Sequence, residues 1–237
     1  MARRTLIIIA AVFALAAGTA LAADQPKGPF AGTVHAVGAI TYKDGSEKTW
    51  TWDRGRITAL SASSLTLTRR DKAEVSFAIT GSTLVRNDGG TYKLDDLKVG
   101  QAATVVSQDG NAVIVRNIRG DGAPSGAEQS AIDGPAKGSV TGTVDALYKD
   151  GSKQSFDYNR GRITALSDGS LTITRQDKKT VTLSFDSSLI VRDKGEVEDA
   201  SALKVGEGAM FFSQDGKLVL VRCLAQPKTP PPAAPAK

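Results

Sequence analysis

The octapeptide RGRITALS occurs twice, at Arg54–Ser61 and again at Arg160–Ser167, 106 positions later. At that offset 36 of the 77 paired positions from Lys43 to Arg119 are identical, which makes this an internal repeat and not a coincidence of composition. A duplicated chain of 237 residues cannot be one large domain. It is expected to hold two similar small ones, each with a modest core. The first copy spans 30–119 and the second 139–224. GTVDALYKDGS in the second copy aligns with GTVHAVGAITYKDGS in the first, four residues longer.

The pattern within each copy is that of strands. Leu65 and Leu67 point one way, Thr66 and Thr68 the other, and Val75, Phe77 and Ile79 alternate likewise. For both apolar sets to reach one face, the RRDKA turn must hold an odd number of loop residues, since a one-residue slip would turn the second set into water. A two-residue Asp44-Gly45 turn predicts a leading hairpin with Trp50 opposite Ala39 and Trp52 opposite Val37. LDDLKVG reads as a helical turn closing on Gly100. QAATVVS and NAVIVRNI form a last hairpin around Asp109-Gly110. Val106 and Val113 share one side of it and Val105 and Ile114 the other. A hairpin apolar on both sides is covered on both sides, so it should lie between the barrel core and either the leading hairpin or the sister domain.

Between the copies, GDGAPSGAEQSAIDGPAKG (120–138) reads as a flexible Gly/Ala/Pro/Ser linker, and AQPKTPPPAAPAK (225–237) as a disordered Pro/Ala tail. The N-terminus has the form of a Sec-type signal peptide, 1–22. Arg3 and Arg4 precede the apolar run LIIIAAVFAL, and Ala20-Leu21-Ala22 fits the small-x-small cleavage rule. Retention as an anchor is the alternative, because the run is just long enough to span a bilayer. Cleavage would leave no transmembrane helix and would place the protein outside the cytoplasm, secreted, periplasmic or in the cell envelope.

The formal charge is +5, and without Arg3 and Arg4 about +3 remains. That is a solubilising charge, and one compatible with an anionic wall polymer or lipid headgroups. Cys223 is the single cysteine and His35 the single histidine. Neither has a like partner in the other copy. Acid–base or nucleophilic catalysis needs a paired group within reach, and the shared acids Asp44/Asp150, Asp71/Asp177 and Asp109/Asp215 all fall in turns. A zinc site is not expected from one His and one Cys. No cofactor and no enzymatic role are expected.

The retained arginines are more consistent. Just upstream of Arg54 and Arg56 come Trp50 and Trp52, and upstream of Arg160 and Arg162 come Phe156 and Tyr158. Aromatics leading into Arg-Gly-Arg form a candidate binding strip for sugars or anionic polymers. The competing reading is that the aromatics close a small core while the arginines cover the barrel rim with their stems. The export signal argues against nucleic acid.

The order RGRITALS, SLTLTR, turn, VSF, STLVR, DLKVG and hydrophobic hairpin resembles a bacterial family of small OB-like β-barrel domains of unknown function, found singly or in tandem in exported envelope proteins. In the first copy the resemblance rests on Gly55, Ile57, Leu65, Thr66, Leu67, Val75, Leu84, Val85 and Leu97–Gly100. In the second it rests on Gly161, Ile163, Leu171, Thr172, Ile173, Val181, Ile190, Val191 and Leu203–Gly206. It implies a β-barrel and an envelope location, and no activity. The expectation is therefore an all-β protein of two tandem small OB-like β-barrels, each preceded by a β-hairpin. Its expected role is a non-enzymatic binding or scaffolding module of the envelope, partnered by an anionic envelope polymer or another envelope protein. One alternative is a spacer that assembles through the apolar hairpins around Val105 and Phe211; another is an enzyme or enzyme accessory with an interdomain site.

Overall fold

The computed structural model describes residues 28–87, 90–118, 136–193 and 196–224. The expected signal peptide, most of the linker and the Pro/Ala tail lie outside the described residues. In the first half the strands are β1 (Thr33–Tyr42), β2 (Glu47–Leu60), β3 (Ser64–Arg69), β4 (Glu74–Ala78), β5 (Leu84–Asn87), β6 (Gly90–Tyr92), β7 (Ala102–Gln108) and β8 (Asn111–Ile118). The second half repeats them as β9 (Ser139–Tyr148), β10 (Lys153–Ser167), β11 (Ser170–Arg175), β12 (Thr180–Ser184), β13 (Ile190–Asp193), β14 (Glu196–Glu198), β15 (Gly208–Gln214) and β16 (Lys217–Cys223). LDDLKVG makes a 3-10 turn at Leu94–Asp96, as the sequence leads one to expect, with a counterpart at Ala200–Ala202.

The chain is all-β, and its strands close a five-stranded barrel. In the first half β2 pairs β3, β3 pairs β4, β4 runs parallel to β8, β8 pairs β7 and β7 returns to β2. The same circuit of pairings recurs through β10, β11, β12, β16 and β15. Ile57, Leu65, Leu67, Phe77, Val85, Leu97, Val105 and Val115 fill the first core. Ile163, Leu171, Ile173, Leu183, Val191, Leu203, Phe211 and Val221 fill the second.

The odd loop after β3 is realised. Arg69 and Ala73 bracket three residues, with Lys72 at φ 71°, so Leu65 meets Phe77 and Leu67 meets Val75 on the core face. Two registers differ from expectation. The leading hairpin closes through Lys43-Asp44-Gly45, because the Tyr42 amide bonds the Ser46 carbonyl and Gly45 takes φ 81°. One extra loop residue moves Trp50 opposite Gly38 and Trp52 opposite Ala36. The tryptophans therefore share a face with Val34, Ala36 and Ile40, and Val37 and Ala39 turn the other way. The last hairpin keeps its two-residue Asp109-Gly110 turn. A bulge between Val106 and Ser107 then pairs Val106 with Ile114 and Val105 with Val115.

Nor is the leading hairpin a separate element from RGRITALS. β2 runs unbroken for 14 residues, pairing β1 at one end and β3 at the other. Gly55 sits where β2 changes partners, and a Cβ there would lie 2.5 Å from the Thr68 carbonyl oxygen; at Gly161 it would lie 2.7 Å from that of Thr174. The glycine of the repeated octapeptide is thus demanded by close backbone approach.

β1 pairs antiparallel with β9, so one sheet path runs through both halves. Gly38 faces Val144, and these are equivalent positions of the repeat. The reciprocal bonds follow: the Lys43 amide donates to the Gly138 carbonyl and the Lys149 amide to the Gly32 carbonyl. The halves are related as an isologous dimer would be. Strand pairing also corrects the repeat alignment. The offset of 106 holds from Thr33 onward with no gap, because β1 Thr33–Tyr42 matches β9 Ser139–Tyr148. His35 corresponds to Thr141, not to Asp145 or a deletion.

A third core lies at this joint. It holds Ala36, Ile40, Trp50, Val106 and Ile114 from the first half, and Val144, Ala146, Tyr148, Phe156, Tyr158, Met210, Phe212 and Leu220 from the second. The two-sided hairpins are therefore covered as expected, with Val105 facing a barrel core and Val106 the joint. Ala136, assigned to the linker by sequence, is buried here too.

Candidate functional site

The joint decides what the aromatic strip does. Trp50 is buried and its indole Nε1–H donates to Tyr42 Oη at 2.8 Å. Phe156 and Tyr158 are buried, and the Tyr158 hydroxyl bonds Ser139 Oγ at 2.7 Å. Phe30, from the segment leading into β1, fits between Phe156 and Phe212, with ring centroids 4.9 and 5.0 Å away. Trp52 is half-buried over Gly38. The four aromatics are brought together, as the wall of one core.

The arginines are placed differently. Arg54 and Arg160 are half-buried, and Arg160 Nη1 donates to the Ala136 carbonyl. Arg56 and Arg162 are solvent-facing at the barrel rim, where Nη1 donates to the Gly100 and Gly206 carbonyls respectively. Around each contact the backbone closes a small circuit. The Gly100 amide bonds Ile57 O and the Ile57 amide bonds Gln101 O, both at 2.8 Å; Gly206, Ile163 and Glu207 repeat this. The RGR and KVG segments of each copy thus meet as one rim structure. On it Val99 and Val205 are each 61% exposed, beside exposed Lys98 and Lys204.

From this rim a hydroxyl-bearing sheet face extends. Arg56 lies across from Thr68 and Arg162 across from Thr174. Thr66 Oγ1 and Ser76 Oγ are 2.9 Å apart, and Thr68 Oγ1 reaches Thr58 Oγ1 at 3.3 Å. In the second half Thr172 and Thr182 are 3.1 Å apart, and Thr174 reaches Thr164 at 3.5 Å. The strands that carry these hydroxyl pairs lie roughly 4.8 Å apart, so the pairs repeat from strand to strand across the face. The pattern was present in SLTLT and SLTIT, whose threonines alternate with core leucines and isoleucine. Threonine on an exposed strand face is ordinary, so the pattern alone marks no site.

A second cluster was also missed. Asp53 is 2% exposed and accepts bonds from His35 Nδ1 and Arg69 Nη1, both at 2.8 Å. Arg69 also grips Asp71 through Nε and Nη2, at 3.1 and 2.7 Å. In the second half Asn159 takes the place of Asp53, accepting from Arg175 at 3.1 Å and from Thr141 at 3.3 Å, while Arg175 holds Asp177. The geometry survives loss of both ionisable groups, which marks the cluster as a strap across β1, β2 and β3. Among the described residues no three His, Cys, Asp or Glu side chains gather as metal ligands would. No helix among them is long and apolar enough to cross a membrane.

No protein-family model, no curated protein and no solved structure matches this chain.

Proposed function

We propose that this is a non-enzymatic, exported binding module of the cell envelope, built on two OB-like barrels, whose ligand is an anionic polysaccharide. The OB-like reading rests on the circuit of five strands, with the third and fifth parallel, and on the Greek-key order that results. The export reading rests on Arg3, Arg4, the apolar run and the Ala20-Leu21-Ala22 site.

One observation carries the choice of surface: both halves keep the same solvent-facing set. Arg56, Thr58, Thr66, Thr68 and Lys98 recur as Arg162, Thr164, Thr172, Thr174 and Lys204. Hydroxyls in register offer donors and acceptors to sugar hydroxyls. The rim cations supply charge attraction to an anionic chain, and exposed Val99 and Val205 offer small apolar contacts. The aromatic strip of the sequence reading contributes Arg56 and Arg162 to this surface and commits its rings to the joint.

The test is co-sedimentation with insoluble peptidoglycan that retains its anionic polymers. Thr66→Val with Thr172→Val keeps shape and strand preference while deleting two hydroxyls. Retention should fall roughly tenfold, on the scale of one or two lost polar contacts, with an unchanged melting curve. Equal retention of variant and wild type would remove this face from the proposal. The spacer reading fares less well on one point: the hairpins around Val105 and Phe211, through which molecules were to associate, are buried within the chain.

A further inference from the structure

We infer that the β1–β9 joint is a recognition surface that accepts only unlike halves, so that the partner of a first-type half is a second-type half, its own or another copy's. Ile40 lies opposite Gly142. A Cβ at Gly142 would stand 2.1 Å from the Ala39 carbonyl oxygen, 2.9 Å from Ile40 Cδ1 and 3.0 Å from Ile40 Cα. Contacts under 3 Å with backbone force the strands apart. The equivalent of Gly142 in the first half is Ala36. A β1–β1 joint in this register would therefore set an alanine methyl against Ile40 and the Ala39 backbone, once on each side of the axis.

The opposite homotypic pairing fails by emptiness. A β9–β9 joint places Gly142 opposite Ala146 twice, and the one Ile40 side chain of the shared core is gone. The slot formed by Phe156 and Phe212 is filled by Phe30, which belongs to the first half. Its equivalent in the second half is Ala136, a methyl where a ring is needed. Interiors tolerate neither overlap nor void. The two copies have thus diverged into complementary surfaces, a steric selection among pairings whose backbone hydrogen bonding would be alike.

The experiment uses the whole protein with a protease site inserted between Gly126 and Ala127. The folded chain is cut, and native mass spectrometry reads the pairs present at micromolar concentration, before and after the cut material is unfolded and refolded. The halves differ in mass, so every pairing is identified directly. The result expected is one first-type with one second-type half, and like pairs depleted roughly tenfold or more from their statistical share. A 1:2:1 mixture of pairings would overturn the selection. Separation of the halves after native cutting would overturn the joint as a recognition surface.

Discussion

Gly38 of β1 lies directly opposite Val144 of β9, and the two hold the same place in the two copies of the repeat. A local two-fold axis therefore passes between them. In an antiparallel pair such an axis stands normal to the sheet, so like faces of the two halves at the joint point the same way. One of these faces carries the shared core of Trp50, Phe156 and Phe212. The repeat is thereby joined into a single body with two equivalent outer faces, each with its own Arg and Thr set. A repetitive polymer is the kind of ligand that gains from two equivalent sites on one body, because the second contact becomes intramolecular.

The close approach at Gly142 gives the first expectation. Gly142→Ala should destabilise the protein by about 1–3 kcal/mol, the usual range for forcing a methyl into filled space. Gly81 has nothing within 4 Å of its ideal Cβ and no positive φ. Gly81→Ala should therefore be neutral or slightly stabilising. Urea unfolding followed by tryptophan fluorescence compares the two.

The buried strap at Asp53 gives the second. Asp53→Ala removes the acceptor of Arg69 Nη1 and His35 Nδ1 and leaves a cavity, while Asp71 still holds the rest of the guanidinium. It should cost about 1–3 kcal/mol, as unsatisfied buried donors do. Asp53→Asn should cost about 1 kcal/mol at most, because Asn159 already holds Arg175 with an amide oxygen. Similar losses in both variants would show that charge, and not the accepting oxygen, holds the strap.

Acid should act through the arginine-held turns. Hydrogen bonds from Arg69 to Asp71 and from Arg175 to Asp177 hold both carboxyls below their ordinary value of 3.8. A carboxyl depressed by folding contributes stability above its unfolded value, and that contribution is lost as pH falls through the folded one. Stability should therefore decline below about pH 4. Asp71→Asn combined with Asp177→Asn should flatten the decline, as read from melting temperatures between pH 2 and 6.

Cys223 moves the opposite way. Burial, then the negative Glu207, Asp193 and Glu198, push its thiol up to about 11 from 9.0. The folded thiol stays protonated where the unfolded one ionises, so its contribution to stability is lost as pH rises from 9 toward 11. In the native protein a disulfide reagent at pH 8 should label Cys223 slowly, and in urea rapidly. Fast native labelling would contradict its burial.

Much of this architecture could be read from the chain. Alternation in SLTLT and EVSF fixed which residues fill the barrel, and the odd loop at Asp71 and Lys72 followed from that alternation alone. Two-sided apolarity at Val105 and Val106 correctly demanded two covers. The failures were of register. Asp44-Gly45 admits a two- or a three-residue loop, and the three-residue one sets Ala36 and Ile40 on the face of Trp50 at the joint. The bulge at Val106 leaves no local sign. The pairing of His35 with Asp53 follows from the same three-residue loop, since a two-residue loop would set His35 opposite Arg54. The role of the aromatics depends on β1 meeting β9, a contact between segments more than a hundred residues apart that no local pattern announces.

On the proposed function the two Arg–Thr faces, and not the buried aromatics, meet the ligand. Amide NMR of the isotope-labelled protein, titrated with a soluble anionic wall polysaccharide, tests it most directly. Shifts should gather at Arg56, Thr66, Thr68, Lys98 and Val99 and at their equivalents Arg162, Thr172, Thr174, Lys204 and Val205. Shifts gathered at Trp50, Phe156 and the β1–β9 joint, or none at saturating polymer, would contradict it.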